Sequence, residues 1–548
     1  MKKYLYILFV TVWMLSIFLY SPVSHSETLA DKVRTTSLTS RFIPVDLFTN
    51  FRSISEVSGM NSYLTEGTVF TIRDEKLKEI HRTKPQNIIL MIPGKGSVLT
   101  ELVLMKSEVL TSDFKTVELS SGGTTKETVY EPGVYYRGIV KGKNRSWAAV
   151  SIFKDHMMAI FADENGNYNI SPLNIDDRKS ANDYIVFNEA DLLRENNFTC
   201  YTNDETMIKN PFQQSSALNE TESLHQYPIK KYFECDYKLY QTLGSSTVNV
   251  NNYVTSVYNA VIALYQNEQI VTQLQSTYIW TTTDIYTNTN DLFLILKRFG
   301  ARVKDTFSGH LAHFLSNRTN IGGGIAWIDF LCWPYYVGDS SGRYAVSVID
   351  TTVKPFPVYS WTVANIAHEM GHNVGSIHTH NCSWPGGPID TCYAVEGGCY
   401  SGAPRPRAGT IMSYCHANGS INFSLGFGPL PGNLMRTKYQ QAMCLIGITQ
   451  LGTSVPAEFV LEQNYPNPFN PSTNIVFSIP VTGDGRSSEV ELSVYDLLGR
   501  KTGELVKEKL SPGKYSVDFN ASELPSGVYF YVLKAGDFTM SRKMILVK

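Results

Sequence analysis

Hydrophobic spacing along the chain predicts a helix in its middle part. The apolar positions at offsets 0, 3, 4, 7 and 11 of one segment are Val363, Ile366, Ala367, Met370 and Val374. This spacing places them on one face of an amphipathic helix. We therefore predict a helix over residues 360–374 with Ser360 as its N-cap, and a second helix near residues 251–266.

Strand patterns surround these helices. Residues 230–239, 277–282 and 323–330 are predicted strands of a mixed sheet on which the helix over 360–374 packs. Residues 27–226 alternate short β-rich runs with turn clusters, which indicates a mainly β domain. Near the C-terminus apolar and polar residues alternate in two runs, whose apolar positions are Val490, Leu492 and Val494, and Tyr515, Val517 and Phe519. Such half-buried strands, divided by Gly and Pro turns, predict a small β-sandwich.

The N-terminus has the features of an export signal. Two lysines follow the initial methionine, an apolar run covers residues 4–20, and Ser24 and Ser26 are small residues around a cleavage site. We predict a secretory signal peptide over residues 1–26, and no stable membrane span after its removal. Retention as a membrane anchor stays open, because the run is close to the shortest that crosses a bilayer. A formal net charge of −2 gives no basis for nucleic-acid binding.

One short segment contains three histidines and a glutamate at the spacing of a metal site. It reads His-Glu-Met-Gly-His-Asn-Val-Gly-Ser-Ile-His. His368 and His372 are four residues apart, so their rings lie on one face of the predicted helix and can share one ion, with Glu369 beside it. Gly375 can end the helix in a left-handed conformation and turn the chain back. His378 then becomes the third ligand.

This arrangement predicts a hydrolytic zinc site. Three neutral imidazoles leave one position of a tetrahedral Zn²⁺ open, as in catalytic rather than structural zinc sites. Zinc lowers the pKa of a bound water to roughly 7 and polarises a carbonyl, while Glu369 can take the water's proton and return it to the leaving amine. We predict peptide-bond hydrolysis with one catalytic Zn²⁺. The alternative is a histidine-rich exposed helix. Structural Ca²⁺ is compatible with the sequence but does not follow from it.

The histidine motif is followed by a second segment, Gly-Thr-Ile-Met-Ser-Tyr-Cys at 409–415. Together the two segments resemble the metzincin metalloproteases, most closely the reprolysin or adamalysin branch. The resemblance implies an α/β catalytic domain over residues 227–448, with a mixed twisted sheet and an active-site helix. It also implies that Met412 forms an apolar floor beneath the zinc ligands. Thr379 stands where many animal members have aspartate, so their aspartate-based support of the site is not carried over.

The substrate-binding edge is suggested by the same resemblance. Gly-Gly-Ile-Ala-Trp at 323–327 resembles the substrate-lining edge strand of this branch. We expect a peptide to lie extended along Ile325, Ala326 and Trp327, because an exposed strand edge offers backbone donors and acceptors to any sequence.

Other residues near the motifs are weaker candidates. Tyr414 lies where the astacin and serralysin branches have a zinc-reaching tyrosine. It is either a fifth ligand or oxyanion donor, or a tyrosine packed in the wall below the site. His380 is a candidate neighbour of the ligands or a substrate contact, with simple surface exposure as the alternative. His310 and His313 are expected to be structural, in an ordinary helix or loop.

The chain has eight cysteines, as expected of an exported protein. Family resemblance implies a disulfide between Cys332 and Cys444. It implies two further disulfides among the four cysteines between the histidine motif and the methionine segment, which are Cys382, Cys392, Cys399 and Cys415. A zinc-thiolate cluster is disfavoured, because no Cys-x-x-Cys pair is present.

Residues 27–226 resemble a reprolysin propeptide at 136–140 and 146–151. The resemblance implies a prodomain, which makes the protein a zymogen whose zinc site stays blocked until export. Cys200 is a candidate latency thiol, because sulfur is a good fourth zinc ligand. A Cys200–Cys235 disulfide is the open alternative. The basic pair Lys230–Lys231 is a candidate cleavage site, though such pairs are common on surfaces.

After a polar linker over 449–458, residues 459–548 resemble a type IX secretion C-terminal sorting domain. The resemblance rests on Asn-Tyr-Pro-Asn-Pro-Phe-Asn-Pro-Ser-Thr, on Val-Tyr-Asp-Leu-Leu-Gly-Arg and on Pro-Ser-Gly-Val-Tyr-Phe-Tyr-Val. It implies recognition by the outer-membrane secretion machinery of a Gram-negative bacterium, and a protein that is secreted or attached to the outer cell surface. A sugar- or matrix-binding module is the alternative.

These inferences predict a multidomain, secreted zinc endopeptidase that acts on proteins or peptides. Two other functions remain open. One is a catalytically inactive, zinc-binding surface adhesin, against which the intact Glu369 argues. The other is an amidase acting on cell-wall peptides, which the same zinc chemistry permits. The natural substrate, the cleavage preference and the oligomeric state are not given by the sequence.

Overall fold

The structure is a computed structural model of the 548-residue chain. It describes residues 28–548 except 95–98, 175–181, 195, 197, 205, 208–227, 350, 352–354, 401–407, 418–419, 446–447, 451–455, 482–487, 511 and 522–523. The predicted signal peptide and the predicted end of the prodomain lie outside the described residues. The chain is β-rich and multidomain. In the described part, no helix has both the length and the apolar character needed to cross a membrane.

The N-terminal part is dominated by one large sheet. Its elements are α1 Leu29–Thr39, β1 Ile43–Val45, β2 Phe48–Ser53, β3 Thr68–Ile72, α2 Asp74–Thr83, β4 Asn87–Pro93, β5 Leu99–Lys106, β6 Leu110–Leu119, β7 Thr125–Thr128, β8 Val134–Val140, β9 Trp147–Ile152, β10 Met157–Asp163, β11 Gly166–Pro172 and β12 Asp183–Asn188. Ten strands form the sheet, in the order β1-β4-β5-β8-β9-β10-β11-β12-β3-β2. One face has a core of its own, whereas the other shares a core with the next part of the chain.

The middle part is an α/β unit. Its elements are β13 Ile229–Cys235, α3 Tyr237–Thr242, α4 Thr247–Asn267, β14 Thr272–Trp280, α5 Leu292–Val303, β15 Leu311–Ser316, β16 Gly323–Ala326, β17 Tyr344–Val348, α6 Tyr359–Asn373, β18 Ala408–Gly409, β19 Ser420–Ile421 and α7 Pro429–Gln441. Its sheet has the order β16-β17-β15-β13-β14-β6-β7, so two N-terminal strands extend it. β16 lies at the free edge and runs antiparallel to β17.

Three predicted strands have wrong boundaries in this unit. The strand predicted over 230–239 ends at Cys235, because the Asp236 side chain accepts a hydrogen bond from Leu239 N–H at 2.7 Å and caps α3. The strand predicted over 323–330 ends at Ala326, so Trp327 lies beyond it. The strand predicted over 277–282 corresponds to the second half of β14, which begins at Thr272 and ends at Trp280 rather than at residue 282.

The predicted helix over 360–374 is α6, but its cap differs from the prediction. The helix begins at Tyr359, and Ser360 lies in its first turn. The Ser360 N–H donates to Asn169 Oδ1 at 2.9 Å, and Asn169 Nδ2 donates to the Ser360 hydroxyl at 3.0 Å. A side chain of the N-terminal sheet, Asn169, therefore provides hydrogen-bond partners for the first turn of α6.

The C-terminal part consists of two small sheets. Its strands are β20 Ile448–Gln450, β21 Val460–Leu461, β22 Ser472–Ile479, β23 Ser488–Tyr495, β24 Lys501–Leu510, β25 Gly513–Asn520, β26 Gly527–Ala535 and β27 Phe538–Leu546. They form the sheets β20-β25-β22-β21 and β24-β23-β26-β27, which share one apolar core. The predicted alternation is confirmed, since the apolar residues of both runs are buried. β20 extends into the segment predicted as a linker.

Candidate metal centre

Helix α6 carries two of the three histidines and the glutamate of the motif. His368, Glu369 and His372 are buried on it. Beyond the helix, Gly375 has a φ of 107°, which lies in the left-handed region that favours glycine. The chain turns back there and brings His378 to the same place, so that the His368 and His372 ring centroids lie 5.3 and 4.6 Å from that of His378.

The Nδ1 atoms of these rings face protein acceptors. His368 Nδ1 lies 2.7 Å from the Ile411 carbonyl oxygen, and His372 Nδ1 lies 2.8 Å from the Ser376 carbonyl oxygen. An imidazole that donates from Nδ1 presents Nε2 as a lone pair to a cation. His368 Nε2 is buried and has no hydrogen-bond partner among the described residues. The rings are therefore oriented as metal ligands require.

A sulfur atom completes the donor set. His368, His372, His378 and Cys200 each offer one atom, and these four atoms lie within 4.8 Å of one another. Cys200 Sγ lies 3.6 Å from His372 Nε2. Three imidazole nitrogens and one thiol sulfur suit tetrahedral Zn²⁺. Burial lowers the pKa of His368 and His372 well below the usual value, which keeps both rings neutral, as metal ligands must be.

Glu369 lies beside this cluster in a closely fitted position. Its Oε2 accepts a hydrogen bond from the Thr202 hydroxyl at 3.5 Å, while Oε1 is buried without a partner among the described residues. Burial raises the pKa of Glu369 to about 8. A Cβ at Gly324 would lie 2.3 Å from Oε1, so the glycine makes room for the carboxyl group.

Met412 packs beneath the helix. It is fully buried, and a Cβ on Gly371 would lie 2.6 Å from its sulfur. Its carbonyl oxygen accepts hydrogen bonds from Thr379 N–H and from the Thr379 hydroxyl, both at 3.1 Å. The segment around Met412 thus contacts both α6 and the residues next to His378. Thr379 therefore links these two segments.

Tyr414 reaches the cluster with its hydroxyl group. The hydroxyl donates to the Cys200 carbonyl oxygen at 2.8 Å and lies 3.2 Å from His378 Nε2. The side chain is 7% exposed. The oxygen therefore lies beside His378, one of the candidate ligands.

Residues 198–204, which we call the blocking segment, cover the cluster. Gly324 N–H donates to the Thr199 carbonyl at 3.0 Å, and Tyr201 N–H donates to the Gly324 carbonyl at 2.8 Å. Cys200 pairs with Gly324 in a parallel bridge, and Ala326 N–H donates to the Thr202 hydroxyl at 2.9 Å. The blocking segment therefore occupies the backbone groups of the edge strand β16.

The disulfides inferred from family resemblance are confirmed. Cys332 pairs with Cys444, Cys382 with Cys399, and Cys392 with Cys415. The alternative of a Cys200–Cys235 disulfide was wrong, because both are free and buried. Cys235 is part of β13, whereas Cys200 faces the histidines. Burial, followed by the charge of Glu369, raises the pKa of the Cys200 thiol to about 11.

The remaining histidines have different environments. His313 Nε2 lies 2.8 Å from the Ser347 hydroxyl, and His310 Nδ1 accepts from Lys230 N–H at 3.0 Å. His310 lies in the loop before β15, within the expected helix or loop, whereas His313 lies in strand β15, so the element expected for His313 was wrong. His380 stacks on His378 with centroids 5.0 Å apart, and His416 Nε2 donates to the Phe198 carbonyl at 2.8 Å.

Two carboxylates at the site were missed from the sequence. Asp204 Oδ1 lies 3.1 Å and Glu396 Oε1 lies 3.2 Å from His378 Nδ1. The only sequence signals were that Asp204 follows the candidate thiol by four residues and that Glu396 lies within the cysteine cluster. Neither identifies the ring that they contact. Burial opposes charge at Glu396, but hydrogen bonds from His378 and His380 hold its pKa below the usual range.

Residues 226–424 match the profile of Metallo-peptidase family M12. This part of the chain, which we call the M12 domain, is similar to the metallopeptidases of that family. A zinc metalloproteinase-disintegrin-like protein of Bungarus fasciatus, BfMP, is 24% identical over 49% of this chain and 45% of its own length. The corresponding protein of Bungarus multicinctus, BmMP, is 24% identical over 44% of this chain and 40% of its own length. The chain thus spans less than half the length of these relatives of the M12 domain.

A second profile matches the C-terminal part. Residues 463–548 are a Secretion system C-terminal sorting domain, so the protein is exported through the type IX system to the cell surface or the medium. A solved structure, dimeric latent PorU from Porphyromonas gingivalis, is 21% identical over 16% of this chain and 9% of its own length, with a TM-score of 0.13. A score this low says nothing about the fold of the M12 domain.

Proposed function

We propose that this chain is a secreted, zinc-dependent endopeptidase with the metzincin architecture, made with a signal peptide and a prodomain. The convergence of the Nε2 atoms of His368, His372 and His378, with Glu369 beside them, is the observation that supports it. The match of residues 226–424 to the profile of Metallo-peptidase family M12 supports the same reaction class.

The residues have distinct roles in this proposal. His368, His372 and His378 would hold zinc, which would supply acidification of water and polarisation of the peptide carbonyl. Glu369 would take up a proton from water and return it to the leaving amine. The hydroxyl group that bonds its buried carboxyl group is that of Thr202, which belongs to the blocking segment.

Tyr414 has a proposed role in stabilising the transition state. Its hydroxyl is bonded to the Cys200 carbonyl while the blocking segment is in place. When that segment leaves, the hydroxyl is free to donate to the tetrahedral oxyanion. Replacement by phenylalanine then lowers the rate of peptide hydrolysis and leaves the zinc content unchanged.

The substrate is proposed to be an extended protein or peptide chain at β16. The Gly324 N–H and carbonyl groups bond the backbone of the blocking segment, and any extended peptide offers the same groups. Ile325 and Ala326 belong to this strand, whereas the Trp327 ring packs in the core beside Phe330.

The blocking segment is proposed to keep the enzyme latent, with Cys200 as the fourth zinc ligand. A thiol in contact with zinc is deprotonated, which reverses the effect of burial on its pKa. The test is replacement of zinc by Co²⁺ in the full chain. A thiolate-to-cobalt charge-transfer band is expected, and Cys200→Ala should abolish it.

Cys235→Ala is the matched control for this test, because Cys235 is the other free, buried cysteine. It should keep the band. Loss of the band in Cys235→Ala, or its persistence in Cys200→Ala, contradicts the assignment of the fourth ligand.

The proposed reaction is tested with Glu369→Ala in the matured, secreted protein. Zinc content should remain close to one per chain, while hydrolysis of casein or gelatin falls at least about 100-fold, in line with general-base contributions. Purified peptidoglycan and a chelator belong in the same assay. Cleavage of peptidoglycan alone would indicate the amidase, and zinc binding without any cleavage would indicate the adhesin.

A further inference from the structure

The third histidine is held differently from the other two. His368 and His372 each direct Nδ1 to a backbone carbonyl of the M12 domain. His378 Nδ1 instead lies between two carboxylates, at 3.1 Å from Asp204 Oδ1 and 3.2 Å from Glu396 Oε1. One ring nitrogen therefore has two carboxylate oxygens within ion-pair distance.

The two carboxylates belong to different parts of the molecule. Asp204 ends the blocking segment and is buried, and its Oδ2 accepts from the His378 backbone N–H at 2.9 Å. Glu396 lies in the loop closed by the Cys382–Cys399 disulfide. Removal of the blocking segment takes Asp204 away, whereas Glu396 stays with the M12 domain.

The backbone of Glu396 is fixed from both sides. Cys382 N–H donates to its carbonyl at 3.0 Å, and its own N–H donates to the His380 carbonyl at 3.2 Å. Its side chain also has a second partner in His380, whose Nε2 lies 3.4 Å from Oε1. These contacts hold the carboxylate near His378 without help from the blocking segment.

Asn381 connects the two acceptors. Its Nδ2 donates to Asp204 Oδ2 at 3.0 Å and to Glu396 Oε2 at 3.1 Å. When Asp204 leaves, the same amide group still bonds Glu396. With this arrangement, Glu396 can remain beside the His378 ring after Asp204 has left it.

We propose that Glu396 is the positioning residue that orients His378 in the active enzyme, and that Asp204 shares this ring only in the latent chain. This inference rests on the proposed zinc site. A carboxylate on the outer nitrogen of a metal-bound histidine fixes the ring and raises its basicity as a ligand. The hand-over from Asp204 to Glu396 keeps zinc bound while the blocking segment is displaced.

The test is a double-mutant cycle on zinc affinity in the full chain. All chains carry Cys200→Ala, so that the thiol contributes nothing to metal binding, and zinc dissociation constants are measured by competition with a chromophoric chelator. Asp204→Asn and Glu396→Gln alone should each change the constant by less than about 3-fold, because one carboxylate remains. The double variant should bind zinc about 10- to 100-fold more weakly.

The outcomes separate this inference from the proposed function. The hand-over is overturned if the zinc dissociation constant of the double variant lies within about 3-fold of its parent's. It is also overturned if the Glu396→Gln chain binds zinc as weakly as the double variant does. A parent chain that binds no zinc overturns the proposed site instead. The chain with Glu396→Asp and Asp204→Asn retains a carboxylate at position 396 and should recover part of the zinc affinity. Thermal unfolding of each metal-free chain verifies that the chain is folded.

Discussion

At the scale of single residues, the site consists of ionisable side chains that are buried, although burial of such groups is usually unfavourable. Glu369 and the three histidines are fully or almost fully buried, and their partners are other polar groups of the site.

Lys231 is a buried charged residue outside the site. It is fully buried in β13, and its Nζ has no hydrogen-bond partner among the described residues. The candidate cleavage site at Lys230–Lys231 was therefore wrong for the folded chain, because a protease cannot reach a central strand.

Lys231→Met should stabilise the protein in a pH-dependent way. Burial lowers the pKa of Lys231 to about 7, below its unfolded value, so the folded state binds fewer protons between pH 7 and the unfolded pKa. The wild type thus gains stability as pH rises through this range. The variant should be more stable by about 2 to 5 kcal/mol at pH 7, and the difference should disappear near pH 10.5. Urea unfolding at several pH values measures it, and a constant difference would contradict the prediction.

Gly324→Ala should reduce activity without removing zinc. The new Cβ would lie 2.3 Å from Glu369 Oε1, so the carboxyl group must move away from its present position. We expect peptide hydrolysis by the matured enzyme to fall at least roughly 10-fold, since misplacement of about 1 Å is costly in catalysis, with unchanged zinc content. Gly527→Ala is the control, because its Cβ would meet no atom closer than 3.7 Å. Equal activity of both variants would show that Glu369 adjusts freely.

At the scale of elements, the active-site helix depends on the N-terminal sheet. Helix α6 has no capping side chain of its own, and Asn169 of β11 supplies the bonds to Ser360. The helix is also buried on nearly all sides, because α4 and the N-terminal sheet pack against it. Its position, and therefore that of His368 and His372, is set partly by residues far away in the sequence.

Asn169→Ala should loosen the start of α6. Loss of a capping side chain costs about 1 kcal/mol. Faster hydrogen exchange is therefore expected in the first-turn amides of α6, measured by mass spectrometry on the full chain. Asn320→Ala, which removes an exposed contact to Asn290, is the matched control and should leave these amides unchanged. Unaltered exchange in Asn169→Ala would mean that the cap is dispensable.

At the scale of the whole molecule, the N-terminal part contacts both edges of the M12 sheet. Strand β6 pairs in parallel with β14 at one edge, and the blocking segment lies along β16 at the other. Between them, Trp147 is buried in the shared core and its Nε1 donates to the Phe423 carbonyl at 3.3 Å. The shared core and the β6–β14 pairing resemble the inside of one domain, so we expect them to persist when the blocking segment alone is displaced from β16.

Cleavage between residues 208 and 227 should therefore leave the two parts associated. A protease site inserted there and cut in the folded protein should give fragments that co-elute in size-exclusion chromatography, because separation would expose the β14 edge and the shared core. The same cleaved sample in strong denaturant is the control and should separate. Free elution of the N-terminal fragment without denaturant would contradict the prediction.

The sequence alone determined the chemistry that local spacing encodes. His368, Glu369 and His372 follow from helical periodicity, Gly375 from the need for a positive φ, and the sandwich strands from a period of two, because each pattern is read over a few neighbouring residues. Only the tertiary structure decided the rest. It brought Cys200 and Asn169 to α6, it brought Asp204 and Glu396 to His378, and it buried Lys231. Those contacts join residues distant in the chain, and no short-range pattern specifies which distant group will fill a given position.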